Sequence, residues 1–210
     1  MKEQGTEYSI VRKREDWQEI PVASIGHSLW TENPGITAEG QLCYDEERLY
    51  VHMKAVEKEI RAVYTAPLSP VFLDSCLEFF FRPEGSGNYF NFEINPNGCL
   101  CVQYGPDRRD RINIVRNDER EYFDIRTGRT SEGWEVFYSI PLGFIRLFHP
   151  GYAFTGGLSA NLYKCGDQTP HRHFLAWKPV QTPKPDFHRP EFFGRMRFEE
   201  ERQKGNDRGR

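Results

Sequence analysis

The chain has 210 residues and a mass of 24.7 kDa, enough for one large domain or two small ones and for a core without disulfides or metal. Thirty aromatic residues against eight alanines, with 18 Gly and 14 Pro, favour strands and turns and exclude a helical bundle, a coiled coil or a wholly disordered chain. The net charge is −3 and mean hydropathy −0.71, and no run approaches the ~18 apolar residues of a membrane-spanning helix.

The N-terminus, Met1-Lys2-Glu3-Gln4-Gly5, lacks the apolar stretch of a signal peptide. A cytoplasmic protein is therefore expected, or a secreted one if a leader has been removed. Arg12-Lys13-Arg14 and Arg108-Arg109-Asp110-Arg111 are short basic stretches flanked by acids. No nucleic-acid partner and no membrane partner is expected from them. Trp17 heads Trp17-Gln18-Glu19-Ile20-Pro21 and is expected to plug one end of the fold, while Trp30, Trp134 and Trp177 read as core residues.

Residues 48–56, RLYVHMKAV, alternate Leu49, Val51 and Met53 with polar neighbours, the pattern of a strand buried on one side. Residues 74–81, 89–95, 99–104, 121–126, 134–140, 154–164, 174–177 and 193–198 read as further strands. The one convincing helical turn is Pro141-Leu142-Gly143-Phe144-Ile145-Arg146-Leu147, opened by a Pro whose missing N–H costs nothing there. Short alternating runs between turn signals predict an all-β fold, an antiparallel β-sandwich of immunoglobulin-like or jelly-roll type with one or two short helices. Residues 1–198 are expected to form one domain and the polar residues 199–210 a disordered tail.

Register can be argued in the middle of the chain. If the apolar faces of 74–81 and 89–95 meet, Leu77 pairs with Ile94, Phe79 with Phe92 and Phe81 with Phe90. The turn Pro96-Asn97-Gly98 then sets Ile94 opposite Leu100, Phe92 opposite Val102 and Phe90 opposite Tyr104. A slip by one residue would put this aromatic set into water. The other face carries Cys76, Glu78, Phe80, Asn91, Glu93, Asn95, Cys101 and Gln103, with Glu78 directly across from Glu93. Like charges in that position repel. They either splay apart on a solvated face or belong to a polar binding face in which Asn91, Glu93 and Gln103 surround Glu78. Such a face suits a sugar, whose hydroxyls donate and accept hydrogen bonds and whose C–H face stacks on rings.

Five cysteines, with Cys99 and Cys101 on one face of a strand and no C-x-x-C pair, predict reduced thiols that only pack and argue against zinc. Cys165 sits in no order that marks a catalytic thiol. His171 and His173 could ligate a metal with a carboxylate, but a ligand-facing or exposed His188 is the reading favoured here.

Two stretches carry a resemblance. The first is Leu73-Asp74-Ser75-Cys76-Leu77-Glu78-Phe79-Phe80 with Tyr89-Phe90-Asn91-Phe92-Glu93-Ile94-Asn95 and Gly98. The second is Asn161-Leu162-Tyr163-Lys164-Cys165-Gly166-Asp167, then His173-Phe174-Leu175-Ala176-Trp177, closing on Pro185-Asp186-Phe187-His188-Arg189-Pro190-Glu191-Phe192-Phe193-Gly194. Together with Tyr44-Asp45-Glu46 before Leu49-Tyr50-Val51, they resemble the carbohydrate-binding family 9-like modules, β-sandwiches grouped with DOMON-type domains. The similarity spans roughly residues 15 to 198.

The resemblance implies a mono- or oligosaccharide gripped between two rings at the loop ends, tryptophans in characterised members and Phe72 and Phe187 here. It implies polar contacts from Glu78, Glu93, Asn161 and Tyr163, with Asn91 and His188 completing the expected ligand set. No catalytic residue and no cofactor is expected. Relatives can hold structural calcium, and the Glu78/Glu93 pair offers it a place, although no loop has Asp-rich calcium spacing. Three functions follow: non-catalytic sugar binding, an interaction or structural sandwich that has lost it, and a glycoside hydrolase using Glu78 and Glu93. The oligomeric state is not legible.

Overall fold

The strand and turn signals become fourteen strands in the computed structural model, which describes residues 7–200. One sheet runs in the order β14 (Gly194–Phe198), β12 (Gly157–Gly166), β6 (Cys76–Pro83), β7 (Tyr89–Ile94), β8 (Leu100–Gly105) and β9 (Ile112–Asn113). Beyond the stretch of β12 that meets β14, its last residues pair with β13 (His173–Ala176), which pairs in turn with β3 (His27–Ser28). The other sheet runs β10 (Arg126–Arg129), β11 (Gly133–Pro141), β5 (Arg48–Val56) and β4 (Thr37–Tyr44), with β2 (Ala23–Ile25) on β4. The strand β1 (Tyr8–Arg12) joins them, pairing in parallel with β14 through Tyr8–Ile10 and with β4 through Val11 and Arg12. These parallel pairings are the departure from an otherwise antiparallel β-sandwich.

The core is the space between the two sheets. Leu77, Phe79 and Phe81 from β6 and Phe90, Phe92 and Ile94 from β7 are buried against Leu49, Val51, Met53 and Ala55 of β5 and Trp134, Val136, Tyr138 and Ile140 of β11. Each such Phe contributes about 1.5–3 kcal/mol by leaving water. Phe79 stacks on Phe81 and Phe81 on Phe90, each at 5.0 Å between ring centroids. At Gly40 the layers come so close that a Cβ would lie 2.8 Å from Leu162 Cδ1.

The argued register holds. Leu77 pairs with Ile94, Phe79 with Phe92 and Phe81 with Phe90, while Ile94, Phe92 and Phe90 face Leu100, Val102 and Tyr104. Glu78 does lie across from Glu93. The face that carries them is not open, however. A second apolar cluster, including Phe80, Tyr89, Tyr163, Phe174 and Phe187, covers it, because the long connections over 57–75 and 177–193 fold back across the sheet.

Other expectations are corrected. Residues 121–124 are turns rather than strand, and pairing starts only at Arg126, the first residue of β10: Asp124 has φ 50, the Phe123 N–H closes on the Glu119 carbonyl, and only Phe123 of 121–126 is buried. The strand expected from 154 begins at Gly157, after Gly156 with φ 65. The helical content is α1 (Leu142–Arg146) with three single 3₁₀ turns, Trp17–Glu19, Val71–Leu73 and Pro190–Phe192. Trp17 plugs no end. It packs edge-on against His52 and Phe137, on the outward face of the β5/β11 sheet.

Glu199 is not part of a disordered tail, since its N–H donates to the Ile10 carbonyl and its carbonyl accepts from the Tyr44 hydroxyl. Residues 201–210 lie outside the described residues. Among the described residues no helix is long and apolar enough to cross a membrane.

Candidate functional site

The covered face of the first sheet encloses a small cavity of about 110 Å³ that opens to solvent at its mouth. Glu78 and Glu93, only 3% and 4% exposed, supply its acidic floor. They stand on neighbouring strands, in a rung that continues to Cys101 of β8 on one side and Tyr163 of β12 on the other.

One wall comes from the connection over 57–75, and the Asp-Ser pair of the sequence motif is what shapes it. Asp74, fully buried, accepts the Val63 and Tyr64 N–H groups and Asn95 Nδ2, each at 2.9 Å, and pairs with Arg61. Ser75 Oγ accepts the Arg61 N–H and donates to Glu57. The 3₁₀ turn Val71–Leu73 thus ends in a fixed position and leaves Phe72 42% exposed over the cavity. The Asp167 N–H donates to the Phe72 carbonyl and places Asp167 beside it.

The opposite wall comes from the segment leading to β14, which contributes Pro185, Asp186, Phe187 and His188. Phe187 is 8% exposed and lies against Tyr163. His188 Nδ1 meets the Tyr89 hydroxyl at 2.9 Å, and its ring tilts over Phe80. Burial, followed by the charges of Arg111 and Arg108, pushes His188 down to about 2, so the ring is neutral.

Trp30 lines the cavity as well, tilted against Phe187 at 5.6 Å, with its indole N–H donating to the Thr182 carbonyl at 2.7 Å. Arg108 and Arg111 close the remaining side from the loop after β8. Arg108 reaches Asp186 at 3.4 Å, and Arg111 is held by Gln103 and the Arg108 carbonyl.

The floor is electrostatically strained. Burial, then the neighbouring Cys165 thiol and Glu93, raises Glu78 well above the ordinary carboxylate range. Glu93 is raised to about 7, again by burial, with Arg111 and Asn91 working the other way. Asn91 Nδ2 donates to Glu93 at 2.8 Å, and Cys165 Sγ lies 3.0 Å from Glu78 Oε1. Burial thus favours the protonated form of both carboxyls. The cavity therefore offers carboxyl oxygens, two guanidinium groups, a neutral imidazole and ring faces to a polyhydroxyl ligand.

Of the expected residues, the structure brings Phe72, Glu78, Glu93, Phe187 and His188 together around the cavity. Asn161 is not among them: its Nδ2 donates to the Lys178 carbonyl, and its Oδ1 accepts the Leu162 and Lys178 N–H groups. Tyr163 is fully buried behind Phe187, and Asn91, also fully buried, supports Glu93 from the side.

Sequence reasoning missed Trp30, Arg108, Arg111, Asp167 and Asp186. The turn signal Asn33-Pro34-Gly35 beside Trp30 and Gly105-Pro106 before Arg108 were the available signs that both lie on loops. His171 and His173 do not converge on a metal. His171 pairs with Glu59 at 3.1 Å, whereas both His173 nitrogens are taken, by the His171 carbonyl and Lys164 Nζ. Calcium does not fit at Glu78 either. It asks for roughly six to eight oxygen ligands, and the other donors gathered at this carboxyl are the Cys76 and Cys165 thiols.

A family model described as Carbohydrate-binding family 9 matches residues 10–198. A Bacteroides uniformis ATCC 8492 protein proposed to bind carbohydrate superposes with a TM-score of 0.76 at 26% identity, over 92% of this chain and 100% of that one. A family 9 module from Caldicellulosiruptor kristjanssonii in complex with cellotriose gives a TM-score of 0.64 at 10% identity over 92% and 93% of the two chains. The complex with glucose gives 0.66 at 10% over 96% and 100%. At that identity the two complexes speak for the fold alone. No curated protein sequence matches the chain.

Proposed function

The chain belongs to carbohydrate-binding family 9, and on that premise we propose that the cavity between Phe72, Trp30 and the Glu78/Glu93 floor is its sugar site. The observation that carries this reading is the pairing of an exposed ring, Phe72, with two buried carboxyls in one cavity with two arginines. An apolar ring face takes the C–H side of a pyranose, and the acid, guanidinium and imidazole groups take its hydroxyls.

The second stacking surface is Trp30 with Phe187 beneath it, rather than Phe187 alone, because Tyr163 occupies one face of the Phe187 ring. The ligand class is a mono- or oligosaccharide. Catalysis by Glu78 and Glu93 is not part of the proposal. Binding modules need no ionised nucleophile, and a retaining glycosidase needs one carboxylate held charged, against the burial that raises both groups here.

Calorimetric titration with glucose and cellotriose tests the site. Measurable heat with the wild type and at least about a tenfold loss of affinity in Phe72→Ala and Trp30→Ala, roughly 1.4 kcal/mol each, are the expected results. Absence of heat across a panel of mono- and oligosaccharides, or wild-type affinity in both variants, overturns it.

A further inference from the structure

The sequence holds no C-x-x-C pair, yet the fold builds a thiol pair from distant strands. Cys76 on β6 and Cys165 on β12 are direct cross-strand partners, and Glu78 stands two residues along β6 on the same face. The two sulfurs and a Glu78 carboxylate oxygen all lie within 4.8 Å of one another. All three side chains are at least 97% buried, and Glu78 forms no ion pair among the described residues. Glu78 and Cys165 also line the cavity, while Cys76 lies behind them.

From this juxtaposition we propose that Cys76, Cys165 and Glu78 bind one thiophilic divalent cation of the zinc type. Two sulfurs and one carboxylate oxygen are a donor set that selects zinc over calcium or magnesium. The three donors come from rigid strand positions, and the side facing the cavity leaves room for a further ligand, water or a hydroxyl group. The ion answers the electrostatic problem of the floor by neutralising a carboxylate that faces Glu93 across the sheet. On binding, M²⁺ forms two metal–sulfur bonds and one metal–oxygen bond, and the two thiol protons, with any proton on Glu78, pass to solvent. Affinity therefore rises with pH.

This site lies at the floor of the proposed sugar cavity but stands independently of that reading, since its test uses metal alone and no sugar. The reduced full-length protein is titrated with cadmium chloride, with zinc chloride as competitor. One ion per chain, an ultraviolet cadmium–thiolate charge-transfer band, displacement of that band by zinc and release of about two protons or more per ion are the expected results. Cys76→Ser and Cys165→Ser, near-isosteric changes, lose the band, whereas Cys43→Ser, a buried thiol in a separate cluster, keeps it. Glu78→Gln keeps both thiols and weakens binding at least tenfold. Folding of each variant is checked by its circular dichroism melt. The proposal is overturned if the folded wild type shows no stoichiometric band, if the band survives both serine variants, or if the purified protein carries a Cys76–Cys165 disulfide that persists in place of metal binding.

Discussion

Tyr163 lies flat on Phe187, with ring centroids 4.0 Å apart and planes 12° from parallel, and its hydroxyl donates to the Phe187 carbonyl at 3.1 Å. One contact thus ties the loop over 177–193 to the middle of β12, and it gives Phe187 a packing role that Phe72 lacks. Phe187→Ala is expected to lower stability by about 3–5 kcal/mol. Phe72→Ala, at a ring 42% exposed, is expected to change stability by less than about 1 kcal/mol. Urea denaturation of the two variants side by side decides the point, and equal midpoints would refute the assignment.

Much of this arrangement was legible in the sequence. Alternation in 74–81 and 89–95 fixes which side of each strand is apolar and so puts Glu78 and Glu93 on one face, and the loop between the strands selects the register that makes them direct partners. What covers the polar face was not legible. Asp74 anchors its loop by accepting two N–H groups ten and eleven residues upstream, and no local pattern announces bonds of that span. For the same reason β4 was missed: TAEGQLCY has Gly and Gln in its middle, and only pairing with β5 along its whole length makes it a strand. Asn161 failed as a ligand-facing residue through its capture by the Lys178 backbone, a contact that depends on how the chain leaves β13.

Asp74→Ala removes the acceptor for the Val63 and Tyr64 N–H groups and for Asn95 Nδ2, and leaves Arg61 without its partner. Orphaned donors each cost about 1–3 kcal/mol when they stay buried, so a total loss of about 3 kcal/mol is expected after part of the loop turns to water. Because the loop carries Phe72, sugar affinity falls with it. Limited proteolysis gives a separate readout: cleavage within 58–73 is expected in the variant and not in the wild type. An uncleaved variant of wild-type stability would contradict the anchoring role.

Behind the cavity, Lys164 is fully buried, and its Nζ donates to Glu57 at 3.2 Å and to the Cys165 carbonyl and His173 Nε2 at 2.8 Å. Glu57 Oε1 also accepts the Trp134 indole N–H at 2.6 Å, and Oε2 accepts from Ser75. Removing one member strands the other, so Lys164→Met is expected to cost about 3–5 kcal/mol. Adding Glu57→Gln removes the stranded charge and should recover part of that loss. A double-mutant cycle by chemical denaturation measures the coupling, and strictly additive losses would show that the pair does not act as one unit.

The same network fixes a pH dependence. Lys164 Nζ donates to His173 Nε2, so His173 carries its proton on Nδ1 and gives it to the His171 carbonyl at 2.7 Å. Burial, and after it the Lys164 charge, lowers His173 from the ordinary 6.5 to about 4. The unfolded chain then takes up the proton before the folded one does. Stability contributed by the neutral ring is complete above about 6.5 and is lost as pH falls from there toward 4, by about 1.4 kcal/mol per pH unit. Glu93, raised to about 7, acts in the opposite sense, because the folded protein binds its proton first as pH falls below 7. Glu78, raised as well, acts with Glu93, and His188, lowered to about 2, acts with His173, so the raw pH profile mixes several groups and the informative quantity is a difference. His173→Gln keeps an acceptor for Lys164 and cannot be protonated. The stability of the wild type minus that of His173→Gln, measured by urea denaturation between pH 7 and pH 4.5, cancels the contributions of the other carboxyls and histidines. It is expected to fall as the solution is acidified below 6.5, and a difference that stays level across that range would show that His173 is not held neutral by the fold.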